Sequence, residues 1–325
     1  EAGFSGAVRV DVDGGSLHLA YGAADRASGR PNTATTRFAV ASGSKAFTAL
    51  MIVRLIEQGV LGYDTTAREL LGADLPLIAD DVTVEHLLAH RSGIGDYLDE
   101  DEIDDFTAVV PPVPVERLDV TEAFLPWLDG HPTAFPAGTR FAYCNGGLMV
   151  LALLAERAAG RPFHDLVDEL VIAPAGLPAT AYLRSDDLTP DAALGYLDAD
   201  GLATNAANLP VRGNGDGGAY TTVDDMHTFW RALFAGRIVS PESVALMTRH
   251  HSDVANDDPD DPIVRGYGLG FWIAPPGHIV LLGADAGVSF KSLHCPEREL
   301  TYTVVSNWTD GAWPVTGFLN TTFAT

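Results

Sequence analysis

The sequence predicts an α/β (α+β) fold: an antiparallel sheet formed by both ends of the chain and flanked by helices, with a block of helices inserted between those ends. Three observations carry this expectation. Short alternating or β-rich segments occur near the start of the chain and again towards its end. Apolar residues at helical spacing fill much of the middle. With 325 residues, 46% of them hydrophobic, the chain can build a sizeable core as two domains or as one domain with a large insertion.

The elements follow in order. In "GAVRVDVDGGSLHLAYG", Val8, Val10 and Val12 alternate with polar residues, Asp13-Gly14-Gly15 supplies a turn, and Leu17, Leu19 and Tyr21 resume the alternation, so a β-hairpin is expected. A helix is expected from about Ser42 to Gln58, with Gly59 stopping it. "DDVTVEHLLAHRSGIGDY" reads as a short helix running into a glycine-containing loop. The segment 109–117 ("VVPPVPVER") reads as a stiff connector, and residues 147–159 as a buried helix closed by Gly160 and Pro162. "TTVDDMHTFWRALFAGR" opens with a capping-box pattern at Thr222 and Asp225. "GYGLGFWIA", "HIVLLGADAG", "VSFKSLHC" and "LTYTVVSN" return to strands. No repeat of 20–50 residues is visible.

Charge narrows the function. A net charge of −24 repels phosphate backbones, so nucleic acid is not an expected partner. The apolar run "GGLMVLALLA" stops at Glu156 and is too short to span a bilayer, so no membrane span is expected. A soluble protein is expected, either cytoplasmic or exported with its leader removed. Cys144 and Cys295 form no disulfide framework or zinc site, and two reduced cysteines are expected.

Only two of the 20 basic residues are lysines, Lys45 and Lys291. Lys45 stands three residues after Ser42, on the same face at the start of an apolar helix. A helix N-terminus favours developing negative charge, and a serine hydroxyl needs a base to become a nucleophile. Arginine does not deprotonate in proteins, whereas a buried lysine can. The other reading is an N-cap serine with a chance lysine, and the pair alone does not separate them. "FAYCNGG" adds Tyr143 and Asn145 just ahead of the buried helix. Tyrosine can relay a proton between serine and a leaving group. Asn145 can accept from Lys45 and donate to a substrate carbonyl.

With these motifs in order, the chain resembles the serine β-lactamase and penicillin-binding-protein superfamily, particularly class C β-lactamases, family VIII carboxylesterases, D-aminopeptidases and DD-peptidases. The stretches that carry the resemblance are "GAVRVDVDGG", "RFAVASGSKAFTALMIVRLIEQGVLGYDTTARELL", "VTVEHLLAHRSGIGDY", "PAGTRFAYCNGGLMVLALLAERAAGRPF", "GDGGAYTTVDDMHTFWRAL", "GYGLGFWI" and "GADAGVSFKS". The resemblance implies a β-lactamase/transpeptidase-like fold: a sheet domain over 1–62 and 225–325, a mainly helical domain over 63–224, and the active site between them. It implies Ser42 as nucleophile, Lys45 as its base partner, and Tyr143 and Asn145 as the Tyr-x-Asn pair. It places the third motif at Leu281-Leu282-Gly283, with Gly283 allowing close approach of the strand. The backbone N–H groups of Ser42 and Ala284 would then hold the oxyanion. The family's cation at the first position of that motif is here Leu281, which cannot bind an anion and shifts the expected substrate from β-lactams towards esters and amides.

The expectation is a serine hydrolase that forms an acyl-enzyme, uses no cofactor and no metal, and acts on a small-molecule ester, amide or short peptide. A D-amino-acid peptidase, DD-peptidase or β-lactamase is the alternative, as is an acyltransferase using the same acyl-enzyme. A silent binding protein on this scaffold is disfavoured by the intact Ser42, Lys45, Tyr143 and Asn145. Oligomeric state is left open. Asp285 either meets a substrate amine or stabilises a turn. His86 and His90 have the spacing of zinc ligands but lack the glutamate of hydrolytic zinc sites, and are read as structural. "GNGDGG" (213–218) imitates a dinucleotide fingerprint without a clear preceding strand, and is also read as structural. The acidic runs Asp96–Asp105 and Asp253–Asp261 lack EF-hand spacing and are read as solvated loops. No G-x-S-x-G elbow occurs, which argues against an α/β-hydrolase.

Overall fold

The computed structural model of the protein describes residues 3–100, 103, 105–109, 111–254 and 264–323. The expected hairpin is β1 (Gly6–Val12) with β2 (Gly15–Tyr21). Asp13 and Gly14 both have positive φ, 49° and 75°, the geometry that matches a two-residue turn to the twist of its strands. Six further strands complete the sheet: β3 (Ser252–Asp253), β4 (Gly266–Tyr267), β5 (Trp272–Ala274), β6 (His278–Asp285), β7 (Val288–Cys295) and β8 (Leu300–Ser306). Their order is β2-β1-β8-β7-β6-β5-β4-β3, and the pairs described are antiparallel. Gly6 pairs with Ser306, so strands from the two ends of the chain lie side by side in one sheet, as expected.

Five helices matter for the site. Helix α1 (Lys45–Glu57) is buried along most of its length, as an apolar-all-round sequence requires. A 3-10 turn, Ala41–Ser44, precedes it, so Ser42 lies in that turn rather than in the α-helix proper. The short α2 (Val84–Leu88) is capped by Thr83. Helix α3 (Asn145–Ala159) starts at Asn145 and ends at Gly160 in the left-handed region, φ 66°. Helix α4 (Val223–Phe234) is capped by Thr222, which accepts from the Asp225 N–H at 3.1 Å. The Asp225 carboxylate turns away and accepts from Ala179 N–H and Thr180 Oγ1, so only half of the expected capping box forms. Helix α5 spans Trp313–Phe323.

Period-two alternation sorts the sheet residues into two cores. Ile279, Leu281 and Phe290 join the main core with α1, α3 and α4. Val280, Leu293 and Tyr302 form a second core with Leu319 of α5. β5 pairs with β6 only over His278–Val280. The rest of β6 lies against the 3-10 turn of Ser42: a Cβ built on Gly283 would stand 2.1 Å from the Val40 carbonyl oxygen. Among the described residues no helix is long and apolar enough to cross a membrane, and no His/Cys/Asp/Glu group could hold a metal ion. The second acidic run lies mostly outside the described residues, and so does Val110 of the connector, whose Val115–Arg117 forms a 3-10 turn.

Candidate active site

Ser42 is presented by a strained turn. The residue before it, Ala41, has φ 44°, a conformation that costs a non-glycine residue roughly 1–2 kcal/mol. Tertiary contacts hold it there: the Ala41 carbonyl accepts from Ser44 Oγ at 2.8 Å and from the Gly218 N–H at 3.3 Å. The turn also depends on Gly283, and Gly283→Ala is expected to destabilise the protein by about 1–3 kcal/mol, the usual range for overpacking. Thermal unfolding checks this; an unchanged midpoint would show that the turn can yield.

Lys45 is 3% exposed, and its Nζ donates to three oxygens at 2.6 Å each: Ser42 Oγ, Asn145 Oδ1 and the main-chain carbonyl of Asp216. Burial pushes its pKa below the ordinary lysine value, while the charges of Asp216, Glu100, Asp96 and Asp285 pull it back up. A carbonyl and an amide oxygen can only accept. When Lys45 is neutral, its two N–H groups serve Asn145 and Asp216, and its lone pair faces the Ser42 hydroxyl.

Tyr143 completes the cluster. Its phenol interacts with the Ser42 side chain, and the Lys45 Nζ stands over its ring, 5.1 Å from the centroid. Burial pushes the phenol pKa well up and Glu100 adds to this, while the contact with Ser42 opposes both. Asn145 differs from expectation. Its Oδ1 accepts from Lys45, but its Nδ2 already donates to the Leu98 carbonyl and to Glu100 Oε1, at 2.9 Å each. Both amide hydrogens are occupied within the protein, so Asn145 holds Lys45 and the loop after Asp96 rather than offering a free donor to substrate.

Two loops read as structural or solvated turn out to build the walls. The start of the first acidic run is not a solvated loop. Asp96 accepts from the N–H groups of Asn145 (2.6 Å) and Gly146 (2.8 Å) at the start of α3, whose orphan donors and dipole favour a carboxylate there. Burial raises its pKa to about 6. Tyr97 donates to the Asp216 carboxylate and packs edge-on against Trp127. The "GNGDGG" loop supplies the Asp216 carbonyl to Lys45, and its Gly215 carbonyl accepts from Thr48 Oγ1 at 2.6 Å. His86 and His90 do not come together on a metal. The His86 Nδ1 accepts from the Thr83 N–H, and the His90 Nδ1 accepts from the Cys144 N–H. Cys144 and Cys295 are free and buried.

A cavity of about 1000 Å³, counted with its opening to solvent, is lined by Ser42, Asn145, Ala284 and Asp285. Gly283 borders the turn behind Ser42. Leu281 is not brought to the cavity. It is 3% exposed and packs into the main core, so the absence of a cation at that position does not describe the cavity wall. Asp285 both lines the cavity and steadies its own turn, accepting from the Ala286 N–H at 2.8 Å. Burial, helped by Glu100 and Asp216 and opposed by Lys45, pushes its carboxyl up to about 7. Glu100, Asp216 and Asp285 line the cavity, and among the described residues no arginine, lysine or histidine does. Asp96, Glu100 and Asp216 were absent from the sequence-based site; the hint was that Asp96 and Asp216 fall inside stretches carrying the family resemblance, whereas Glu100 lies outside them.

Comparison with known proteins agrees with this architecture. The family described as Beta-lactamase matches residues 1–317. Esterase EstB from Burkholderia gladioli is 33% identical over 189 residues, 56% of this chain and 48% of EstB. A D-aminopeptidase from Brucella anthropi is 28% identical over 315 residues, 95% of this chain and 57% of that protein. The chain thus spans about half the length of curated relatives it matches. The crystal structure of a penicillin-binding protein from Bacillus halodurans superposes with a TM-score of 0.90 at 34% identity, covering 98% of this chain and 97% of that one. A match over nearly the whole sequence and a solved relative of the same fold and extent make this chain a member of the Beta-lactamase family.

Proposed function

We propose that the protein is a serine hydrolase that acts on small esters and amides through a covalent acyl-enzyme. The observation that carries this reading is the bonding of Lys45: two obligate acceptors fix its N–H groups and leave Ser42 as the one partner able to give it a proton. Ser42 Oγ attacks the substrate carbonyl carbon as its proton passes to Lys45, with Tyr143 beside both groups. The carbonyl oxygen becomes an oxyanion facing the N–H groups of Ser42 and Ala284. The tetrahedral intermediate collapses, the bond to the leaving group breaks, and that group takes a proton from Tyr143 or Lys45. Water then adds to the acyl carbon as its proton passes to the same groups, the bond from that carbon to Ser42 Oγ breaks, and Oγ takes that proton back as the acid leaves. In this reading the site lies between a sheet domain, 1–62 with 225–325, and a mainly helical domain, 63–224.

The substrate reading follows from the cavity wall. Three carboxylates and no basic side chain among the described lining residues favour an acyl group that carries an amine over one that carries a carboxylate. Similarity to a D-aminopeptidase and to an esterase supports the same pair of substrate types. Alanine p-nitroanilide is therefore expected to have a kcat/KM about tenfold above its N-acetyl derivative, in the range of one charge-assisted contact. The carboxyl of Asp285 ionises only as pH rises through about 7, so the preference should grow across that pH. It should fall again as the substrate amine loses its proton near pH 8. Asp285→Asn should flatten this pH dependence and lower the ratio. Steady-state kinetics of the two anilides and nitrocefin between pH 6 and 9 test it, and a preference for nitrocefin or the N-acetyl compound would overturn the substrate reading while leaving the acyl-enzyme intact.

A further inference from the structure

Tyr143 is the one member of the Ser42–Lys45–Tyr143 cluster whose reactive atom sits at the end of a ring on an irregular segment, just before α3. Something must fix that ring, and two residues outside the reacting set touch it. The His90 imidazole lies 4.5 Å from the Tyr143 centroid, tilted by 35°. The Trp272 indole, at the start of β5, stacks on it at 5.4 Å and 18°. His90 also holds the main chain on both sides of Tyr143: its carbonyl accepts from the Ala142 N–H at 2.9 Å, and its Nδ1 accepts from the Cys144 N–H at 3.1 Å. His90 itself has φ 52°, a turn that a β-branched or bulky residue adopts only at a cost.

We propose that His90 and Trp272 form an aromatic clamp that positions the Tyr143 phenol against Ser42, and that both are positioning residues for proton transfer. The proposal rests on the acyl-enzyme reading above. The chemistry of the clamp suits its place. His90 is 1% exposed, and its Nδ1 is an acceptor, so its proton sits on Nε2, which meets no hydrogen-bond partner among the described residues. Burial, with help from Lys45, drives the imidazole pKa down to about 3, so the ring stays neutral and puts no second cation beside Lys45. Phe141 and Tyr267 flank the ring at 6.0 and 4.8 Å, and Tyr267 meets Trp272 edge-on at 4.9 Å, which ties the two halves of the clamp together. The clamp thus links the loop after α2, the approach to α3 and the sheet.

The test is a double-mutant cycle with Tyr143→Phe, read as kcat and KM for p-nitrophenyl acetate. His90→Asn keeps a residue that tolerates positive φ and offers an oxygen towards the Cys144 N–H, but removes the stacked ring. Alone it should lower kcat about tenfold with KM changed less than about twofold, the pattern of a misplaced reacting group. In the Tyr143→Phe background the same change should cost less than about twofold, because the ring it positions no longer carries the proton. Trp272→Leu is run through the same cycle and decides the matter if His90→Asn does not fold. Equal losses in both backgrounds would overturn the clamp and leave a structural role. A silent Tyr143→Phe would instead overturn the role of Tyr143, and the clamp with it, whereas labelling of Ser42 by a fluorophosphonate reports separately on the nucleophile.

Discussion

Ser42→Ala is expected to remove turnover of p-nitrophenyl esters, by at least about 10³-fold, and to abolish covalent labelling by a fluorophosphonate. The reason is chemical rather than structural. Ser42 is half-buried in a turn whose geometry is set by Ala41, Ser44, Gly218 and Gly283, none of which the substitution touches. Lys45 loses one of three acceptors but keeps Asn145 and Asp216. The variant should therefore fold, with a loss of stability of no more than about 1–3 kcal/mol for the unmade hydrogen bond. Full labelling of Ser42→Ala would mean that another residue is the nucleophile, and the proposed function would fall with it.

Lys45→Arg should cost at least about 10²-fold in kcat/KM, the contribution usual for a positioned general base. A guanidinium keeps the positive charge but has no lone pair to take a proton. Its planar fork also fits poorly where one ammonium meets three oxygens at 2.6 Å. The pH profile separates the two effects. Burial lowers the Lys45 pKa, so the neutral base accumulates as pH rises towards a value below the ordinary 10.5, and activity of the unaltered protein should rise along that limb. Lys45→Arg should lose the limb as well as the rate. A near-normal rate, or an unchanged basic limb, would assign the base role to Tyr143 alone.

Both residues were legible in the sequence because their relation is local. They stand three positions apart, and that spacing brings them together whether the first turn is α-helical or, as here, 3-10. The hairpin at Asp13-Gly14, the end of α3 at Gly160 and the cap at Thr222 were legible for the same reason: each is decided by backbone conformation or a hydrogen bond within a few residues. Leu281 shows the limit of such reading. Matching a glycine to a motif fixed a position along β6, but not which side chains of that strand reach the cavity, and the leucine went into the core.

The walls of the site were not legible. "DYLDEDEIDD" has the composition of a solvated run, yet Asp96 caps α3 and Glu100 anchors Asn145, because packing brings unpaired helix N–H groups and a buried amide next to them. "GNGDGG" looks like a flexible turn until its Asp216 carbonyl is seen on Lys45. The sequence by itself determined the pairing of Ser42 with Lys45, the hairpin, the major helices and the sheet shared by both ends, since these follow from periodicity, local turns and short spacings. Only the tertiary structure decided what surrounds that pair. The oxygens that fix the Lys45 amine come from residues 100 and 171 positions away, and burial and opposing charge, the forces that set its pKa, depend on those distant neighbours.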